Sequence, residues 1–496
     1  MSKIAWNDIN WTLVQKRISR QQGRVYKASM EGNKLIVHAL QRRIISSLDA
    51  KLLAVKQVTI EKKGHNTTGV DGVKAISHKK KIELAYRLKL DGKSSSIRRT
   101  DTLKLGKSKR RPLDILTIKD RAKQMLAKIA LEPEWEAIFE PNSFGFRPGR
   151  SCHDAISTLS LSLRGKSRYV LYTDIQKCFY SLDHNKLLKK LLTFGQMECQ
   201  IKAWLKSDIM VGCLNKPAEI FRLMEDTPQG DVISPLLTNI ALHGLEDHIR
   251  NWYANEWYQT TRRNYKVAKR DRKAAIGFSR YLDDFIITAT ERSDIIEINN
   301  EIAKWLDNEV GLELSKAKTR IVNSTEGFEF LGFQIISVKN QVKGVYKVKI
   351  HPSKTSKARI VLHIRKLIQE NKSVSSYCLI NLLSSRIIGW ANYFRYSECS
   401  KAFSKIDYII FNQVRAWVFR RKSKGLRSRT KLKLKYFPEG ESYQFRGKTY
   451  KNNWILTGQT SVKGRIKKNF LPKMSWIESS QHVKIKGNAS PYAGNL

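Results

Sequence analysis

The sequence predicts an α+β protein with several domains. Its 496 residues are too many for one ordinary hydrophobic core, and its 41% hydrophobic content supplies a substantial interior. Apolar residues recur at helical spacing near the start of the chain and again after residue 353. Short β-prone runs such as YVLYTDI (169–175) and RYLDDFII (280–287) lie between these helical regions. The chain is therefore expected to place a sheet between two helical parts.

The first half is expected to begin with helices over residues 1–60 and to continue with mixed structure over 83–131. Residues 139–151 are rich in Pro, Gly and Asn, which predicts a loop. A strand at 169–175 and helices to about residue 210 follow. Residues 227–249 begin with turn residues and continue as one amphipathic helix.

The second half is expected to contain a hairpin at 279–289, a helix from about 295, and one strand in each of FEFLGFQIIS (328–337) and GVYKVKIHP (344–352). Three helices are expected from residue 353 onward. Residues 436–496 have the composition of loops, with one strand pair in FRGKTYKNNWIL (445–456).

The charge of the chain predicts a polyanionic partner. Lys and Arg number 92 against 44 Asp and Glu, a formal net charge of +48. A positive field spread along a whole chain fits a large nucleic acid better than a small metabolite. Membrane binding is not expected, because the sequence contains no run of 18 apolar residues.

The cysteines and the N-terminus predict a protein that is not secreted. The six cysteines form no C-x-x-C pair, so reduced thiols are expected rather than a disulfide framework. The first residues, MSKIAWNDINWTLVQKRI, lack the apolar segment of a secretory signal.

Two adjacent carboxylates interrupt the apolar run at 279–289. Asp283 and Asp284 would repel each other if they were buried without partners. Asp174 ends the other β-prone run, so three carboxylates at strand ends can converge on one point. Two Mg²⁺ ions would neutralise such a cluster, and a pair of these ions serves phosphoryl displacement. The pattern therefore predicts a nucleotidyl transfer site, although an ordinary acidic turn stays open at this point.

Eight stretches resemble the group II intron-encoded reverse transcriptase/maturase family in its order and spacing. They are RRPLDILTIKDRAKQ (110–124), LEPEWEAIFEPNSFGFRPGRSCHDAI (131–156), YTDIQKCFYSLDH (172–184), TPQGDVISPLLTNIALHGLE (227–246), RYLDDFII (280–287), LSKAKTRI (314–321), EFLGF (329–333) and GWANYFR (389–395). One such motif is weak, but eight in order are hard to explain by chance.

The resemblance implies a right-hand polymerase fold. Residues 1–85 would form the N-terminal extension of the reverse transcriptase, and residues 86–350 its fingers and palm. Residues 351–435 would form the α-helical thumb, which this family calls domain X. Residues 436–496 would form a small basic region that binds DNA or RNA, and we expect neither an H-N-H endonuclease domain nor a structural zinc site.

The resemblance also implies roles for residues of the site. Asp174, Asp283 and Asp284 would be catalytic and, with the backbone carbonyl of Ile175, would hold two Mg²⁺ ions. The residues expected to contact the incoming nucleotide are Lys109, Arg111, Phe179, Gln229 and Lys318, with Phe179 excluding a 2′-hydroxyl and Lys318 lying near the leaving phosphate. Leu282, Asp114 and Asp231 depart from the residues usual in the family.

Nucleic-acid contacts are expected outside the site as well. The segment 420–435 has nine basic residues in sixteen positions and no acidic one. The residues expected to contact nucleic acid are Arg147, Arg150, Arg420, Arg421, Lys422, Lys424, Arg427 and Arg429. For Trp390, Tyr393 and Phe394, a place in the helix core is favoured over stacking on bases.

The resemblance implies an RNA-directed DNA polymerase that binds its intron RNA, assists splicing and copies the intron into target DNA from dNTPs. An alternative is a splicing maturase with little or no polymerase activity, which the changes at Leu282 and Asp231 favour. A reverse transcriptase of a defence or diversity-generating system is less consistent with the N-terminal and thumb stretches. A homodimer is left open. The compartment would be the cytoplasm of a bacterium, or otherwise a chloroplast or mitochondrion.

Overall fold

The structure, a computed structural model, falls into two compact units. It describes residues 5–61, 67–73, 76–103, 110–175, 181–211, 219–221, 232–262, 267–342, 344–421, 428–452, 454–462, 465–487 and 489–494. The first unit comprises Met1–Leu163, Arg168–Asn323 and Lys484–Leu496, and the second comprises Arg164–Ser167 and Ser324–Val483. These units divide the chain differently from the four domains expected from sequence, whose limits remain predictions.

The first unit begins with helices and then alternates helices with short strands. Its described helices are α1 (Trp11–Met30), α2 (Lys34–Ser46), α3 (Leu48–Lys56), α4 (His78–Arg87), α5 (Ile118–Glu136), α6 (Cys152–Ser162), α7 (His184–Leu191), α8 (Gly195–Leu205), α9 (Ser234–Ala241), α10 (Leu245–Trp252), α11 (Tyr258–Thr261), α12 (Lys269–Ala274) and α13 (Arg292–Val310). Its described strands are β1 (Ile97–Leu103), β2 (Arg110–Ile115), β3 (Tyr169–Asp174), β4 (Ile209–Val211), β5 (Glu219–Phe221), β6 (Gly277–Tyr281), β7 (Asp284–Ala289) and β8 (Arg320–Asn323).

The N-terminal helices confirm the helical prediction for residues 1–60. An N-cap asparagine precedes each of α1 and α2. The side chains of Asn10 and Asn33 accept a hydrogen bond from a backbone N–H of the first turn of these helices. Helices α1, α2 and α3 pack against α5, which is buried along almost its whole length. This packing makes α5 the centre of the helical part of the first unit.

The described residues of the first unit include two sheets. Strands β2, β1, β4 and β5 form one sheet in that order, and β6, β7, β3 and β8 form the other with every neighbouring pair antiparallel. Helix α13 packs on β3 and β7 through the apolar face that its spacing predicts, and α6 packs on β6. The second sheet therefore has a firm hydrophobic support, and it carries the candidate site.

The amphipathic helix expected at 227–249 is two helices. Within the described part of this segment, Gly244 has φ +95° and separates α9 from α10. This left-handed backbone favours glycine and breaks the helical hydrogen-bond ladder. The prediction of one continuous helix was therefore wrong.

The second unit combines helices with hairpins. Its described elements are β9 (Phe328–Phe330), β10 (Phe333–Lys339), β11 (Tyr346–Pro352), α14 (Lys354–Glu370), α15 (Ser376–Phe394), α16 (Ser400–Phe419), α17 (Arg429–Tyr436), β12 (Ser442–Phe445), β13 (Lys448–Lys451), β14 (Thr457–Val462) and β15 (Arg465–Phe470). Strands β9, β10 and β11 form an antiparallel meander, and β12–β13 and β14–β15 form two hairpins. Helices α14, α15 and α16 confirm the three helices expected from residue 353, and α17 was not predicted.

Tight turns account for two differences from the sequence prediction. FEFLGFQIIS is a hairpin rather than one strand, because Leu331 and Gly332 both have positive φ and turn the chain between β9 and β10. Arg446 and Gly447 make a similar turn between β12 and β13. The described part of residues 436–496, which have the composition of loops, contains four strands.

None of the helices in the described ranges is both long enough and apolar enough to cross a lipid bilayer.

Candidate active site

The two adjacent aspartates lie at the tip of the β6–β7 hairpin. Tyr281 pairs with Asp284, so Leu282 and Asp283 form a two-residue turn. Leu282 has φ +64°, a conformation that such hairpin turns require and that glycine adopts with less strain. The Leu282 side chain is buried, and its packing helps to hold the turn in this conformation.

The neighbouring strand brings the third aspartate to the same place. Asp174, the last residue of β3, pairs directly with Asp284 of β7. Opposite residues of an antiparallel pair have Cα atoms within about 5.5 Å of each other. The Tyr172 hydroxyl donates a hydrogen bond to Asp284 Oδ1 at 3.4 Å. Three predicted catalytic residues are thus collected at one end of the sheet.

The charges at this end of the sheet are not balanced. Burial, followed by the charges of Asp283 and Asp174, raises the pKa of Asp284 to about 6. Lys318 forms an ion pair with Asp174 Oδ2, and this contact raises the pKa of the lysine. The Lys318 side chain is 62% exposed, so it is a mobile counter-charge rather than a buried one. Within the described residues, Lys318 therefore contacts this cluster as a cation through Asp174.

The donor set fits a hard divalent cation in its chemistry. Carboxylate oxygens are the ligands that Mg²⁺ takes from proteins, and the pKa of Asp284 is raised first by burial and then by the charges of Asp283 and Asp174, which a cation would neutralise. Ile175, whose carbonyl is the expected fourth donor, follows Asp174 and pairs with Leu314. As the side chains stand, the described residues include no group of three Asp, Glu, His or Cys arranged to hold an ion. A cation at Asp174 would replace the ammonium group of Lys318.

A buried arginine supports the hairpin from within. Arg280, on β6, has no exposed surface. Its Nη1 atom donates to Asn239 Oδ1 at 3.3 Å and to the Leu282 carbonyl at 3.4 Å, and its Nη2 atom lies 3.7 Å from Glu140 Oε2. Arg280 was not among the site residues predicted from the sequence. The signal for it was a charged residue within a predicted strand, two positions from each of the apolar residues Phe278 and Leu282.

The loop at 139–151 is joined to the edge of the same hairpin. The Arg280 backbone N–H donates to the Asn142 carbonyl, and the Phe144 N–H donates to the Arg280 carbonyl, both at 2.9 Å. A Cβ atom at Gly145 would lie 2.6 Å from the Leu282 nitrogen, so only glycine allows this approach. The Asn239 side chain also donates to the Gly145 carbonyl at 2.8 Å. Loop and hairpin are consequently fixed to each other.

Two of the expected nucleic-acid contacts are wrong. Arg147 is buried and forms a two-point ion pair with Glu136, with both N···O distances at 2.8 Å. The Arg150 side chain is 2% exposed, lies 3.5 Å from Glu136 Oε1 and donates to the Gly487 and Ala489 carbonyls. Both guanidinium groups hold the loop together and are not available to nucleic acid.

Several expected nucleotide contacts fall partly or wholly beyond what the structure describes. Arg111 lies in β2, paired with Thr102 of β1, and only its backbone is described. Lys109, Phe179 and Gln229 lie outside the described residues, as does Asp231. Their proposed roles remain predictions.

The unusual Asp114 of β2 is neutralised locally. Arg99 of β1, its cross-strand partner, donates from Nε to Asp114 Oδ1 at 2.7 Å, and the carboxylate has no exposed surface. This departure from the family pattern therefore adds no free negative charge to the strand.

In the second unit, some of the basic residues expected to contact nucleic acid are exposed. Arg420, at the end of α16, and Arg429, at the start of α17, are exposed. Arg421 instead lies over the Trp417 ring at 3.9 Å and donates to the Val374 carbonyl, so much of its guanidinium is used internally. Lys422, Lys424 and Arg427 lie outside the described residues.

Of the three aromatic residues of α15 expected in the core, Phe394 is buried, whereas Trp390 and Tyr393 are half-buried and pack beside it. The Trp390 ring lies 4.4 Å from the Phe394 ring, and Tyr393 lies 5.4 Å from Phe333. The Tyr393 hydroxyl also donates to the Leu331 carbonyl at 2.9 Å. These rings join α15 to β10.

Three family models match the chain in succession. They describe the N-terminal domain of reverse transcriptase at residues 6–88, the reverse transcriptase (RNA-dependent DNA polymerase) at 97–335, and the maturase-specific domain of group II introns at 357–437. The chain belongs to the group II intron-encoded reverse transcriptase/maturase family. Membership in this family establishes the fingers–palm polymerase fold, and the described helices and sheets agree with its α+β class.

Relatives of this reverse transcriptase/maturase come from bacteria and from eukaryotes. It is 31% identical to protein YkfC of Escherichia coli over 313 residues, covering 58% of this chain and 81% of YkfC. It is 29% identical to the group II intron-encoded protein LtrA of Lactococcus lactis, covering 58% of this chain and 55% of LtrA. It is 25% identical to maturase-like protein 1 of Euglena gracilis, covering 78% and 77% of the two chains. The match thus spans just over half the length of LtrA.

Proposed function

We propose that this protein is an active RNA-directed DNA polymerase that also assists splicing of its group II intron. The single observation that carries the proposal is the convergence of Asp174 with the Asp283–Asp284 turn in a chain of this family. Burial and the charges of Asp283 and Asp174 raise the pKa of Asp284 to about 6, so the folded protein disfavours the charged form of this carboxylate, which is typical of a functional site rather than of a stabilising ion pair.

The chemistry proposed for the site is positioning and charge neutralisation. Asp174, Asp283, Asp284 and the Ile175 carbonyl would hold two Mg²⁺ ions. When bound, these ions supply neutralisation of the reacting phosphates and activation of the primer 3′ oxygen. Lys318 can leave Asp174 for a phosphate oxygen, because it is exposed and has a long flexible stem. Tyr172 keeps Asp284 oriented through its hydroxyl hydrogen bond.

The incoming dNTP would be bound from the fingers side. Arg111 and Lys109 are proposed to contact its triphosphate, Phe179 to exclude a ribose 2′-hydroxyl, and Gln229 to line the nucleotide pocket. Guanidinium and ammonium groups suit this task, since they donate several hydrogen bonds to phosphate oxygens.

The proposed partners are intron RNA and target DNA. The net charge of +48 favours both, since neutralising phosphates releases counterions. Arg420 and Arg429 are exposed at the ends of helices and are proposed to contact nucleic acid, together with Lys422, Lys424 and Arg427. A homodimer is compatible with this scheme. The protein would act wherever its intron is transcribed, in a bacterial cytoplasm or an organelle.

Primer extension on a poly(rA) template with an oligo(dT) primer and Mg²⁺ tests the polymerase. Wild-type protein should synthesise DNA, and Asp283→Asn should abolish synthesis while retaining RNA binding and splicing of the intron. Asp271→Asn, which removes an exposed carboxylate from α12, is the matched control and should behave as wild type. If the folded wild-type protein binds RNA and promotes splicing but makes no DNA, the proposed polymerase is contradicted and the function is that of a splicing maturase.

A further inference from the structure

Phe146 combines an exposed ring with a backbone conformation that is unfavourable for it. Its φ is +57°, in the left-handed region where a side chain with a Cβ atom is strained. The residue is also 57% exposed, so burial of the ring does not offset the strain. A residue kept in such a conformation, within a loop fixed to a candidate active site, indicates a function for its side chain.

The residues on either side hold Phe146 in place. Gly145 lies against the backbone of Tyr281 and Leu282. A Cβ atom on residue 145 would be 2.9 Å from the carbonyl carbon of Tyr281 and 2.6 Å from the nitrogen of Leu282. Arg147 is anchored by Glu136 and by the Glu140 and Ser143 carbonyls. The loop therefore has little freedom to fold the Phe146 ring inward.

The ring is presented beside the catalytic turn. Its centroid lies 6.3 Å from that of Tyr281, with the two planes inclined by 49°. Tyr281 is followed directly by Leu282, Asp283 and Asp284. An exposed aromatic face in this place would meet whatever lies against the turn during the reaction.

We propose that Phe146 stacks on a nucleobase of the primer–template at the active site. The inference rests on the proposed function, because that function brings a primer end to the turn. Every base has a π-face, so a fixed aromatic ring binds the strand without selecting its sequence. A ring held in advance also loses little conformational entropy on binding.

The chain offers a matched control for this ring. Leu192 ends α7 in the same unit, has φ +43° and is 58% exposed. It thus shares the backbone strain and the exposure of Phe146. It belongs to a different segment of the chain from the loop at 139–151 and the β6–β7 hairpin. Leu192→Ala removes a comparable exposed apolar side chain from a comparable backbone.

The test measures binding of a primer–template containing 2-aminopurine, without dNTPs. The fluorescent base is placed either at the first unpaired template position or at the primer terminus, so the two substrates show which base is contacted. Wild type and Phe146→Trp should quench one of the two probes. Phe146→Ala and Phe146→Gly should abolish that quenching and weaken affinity roughly 5- to 100-fold. Leu192→Ala should match wild type.

Phe146→Gly separates stacking from folding. Glycine accepts a positive φ without strain, so this variant should melt at or above the temperature of wild type while still losing affinity. Unchanged affinity and quenching in Phe146→Gly, or an equal loss in Leu192→Ala, would overturn the inference. Because the assay needs no synthesis, wild-type protein that quenches the probe but never extends a primer would refute the proposed polymerase and leave the stacking contact standing.

Discussion

Two acidic sites of the first unit lie close to the same loop and hairpin but differ in their charge balance. At Glu136, a buried carboxylate forms ion pairs with two buried guanidinium groups, those of Arg147 and Arg150. At the hairpin tip, Asp174, Asp283 and Asp284 lie together, and burial followed by the charges of the other two carboxylates raises the pKa of Asp284. Ion pairing of buried charges stabilises a fold, whereas mutual repulsion of carboxylates favours an external cation, so the first site is structural and the second is suited to a metal ion.

This difference predicts that neutralising a carboxylate has opposite effects at the two sites. Removing one partner of a buried ion pair leaves the other charge without compensation. Removing one of several mutually repelling carboxylates relieves repulsion.

Glu136→Gln should destabilise the protein by about 3–5 kcal/mol, because it leaves Arg147 buried without its carboxylate. Urea unfolding followed by fluorescence measures the change. Glu83→Gln, at an exposed i,i+4 pair with Arg87, is the control and should change the free energy of unfolding by less than about 0.5 kcal/mol. Equal effects at the two positions would remove the structural role from Glu136.

Asp284→Asn should stabilise the protein at pH 7.5 in EDTA. Raising the pKa of Asp284 from 3.8 to about 6 corresponds to about 3 kcal/mol, which partial exposure reduces to roughly 1–2 kcal/mol. Between these pH values the folded state holds more protons than the unfolded state, so wild-type stability falls as pH rises from 4 to 6. The advantage of the variant should therefore vanish below pH 4.

Thermal melts of wild type, Asp284→Asn and the control Asp271→Asn across this pH range provide the measurement. An Asp284→Asn protein no more stable than wild type at pH 7.5 would show that burial and the neighbouring carboxylates do not disfavour a charged Asp284 in the folded state.

Mg²⁺ at ten times its Kd should stabilise the wild type by about 1.4 kcal/mol at pH 7.5. The effect should be much smaller at pH 5, since protons then compete with the cation for Asp284. Glu136→Gln changes no carboxylate of the hairpin and should keep the Mg²⁺ response. Melting with and without Mg²⁺ at the two pH values measures it, and a pH-independent shift would place the cation elsewhere.

Lys318→Met should have the smallest effect on stability, below about 1 kcal/mol, because the lysine is exposed. It should nevertheless tighten Mg²⁺ binding to the free protein by up to about fivefold, since the ammonium group no longer competes for Asp174. Calorimetric titration measures the affinity, with the exposed Lys316→Met as control. Weaker binding in Lys318→Met would mean that the lysine assists the cation instead of replacing it.

The sequence predicted the acidic end of the sheet because β-prone apolar runs mark β3, β6 and β7, and Asp174 and Asp283 interrupt them. It did not predict the support beneath that end. Arg147 and Arg150 stand in a polar loop and suggested surface contacts, but their pairing with Glu136 depends on tertiary packing. The hydrogen bonds of Arg280 to the turn arise in the same way.

Short elements were harder to predict than the site. β8 has only four residues, with Ile321 and Val322 between a basic and a polar residue, and so short a run gives no clear strand signal. The hairpin at Leu331–Gly332 was hidden in an apolar run, although Gly332 was a turn signal. These turns depend on backbone conformations that apolar periodicity does not report.

The most direct test of the account is a count of divalent cations at the hairpin. Electron paramagnetic resonance can count Mn²⁺, used in place of Mg²⁺, in a complex of protein, terminated primer–template and dNTP. We predict two bound ions in the wild type and in Asp271→Asn, and at most one in Asp283→Asn. Two ions retained by Asp283→Asn, or none bound by the wild type, would contradict the claim that these carboxylates hold the cations for DNA synthesis.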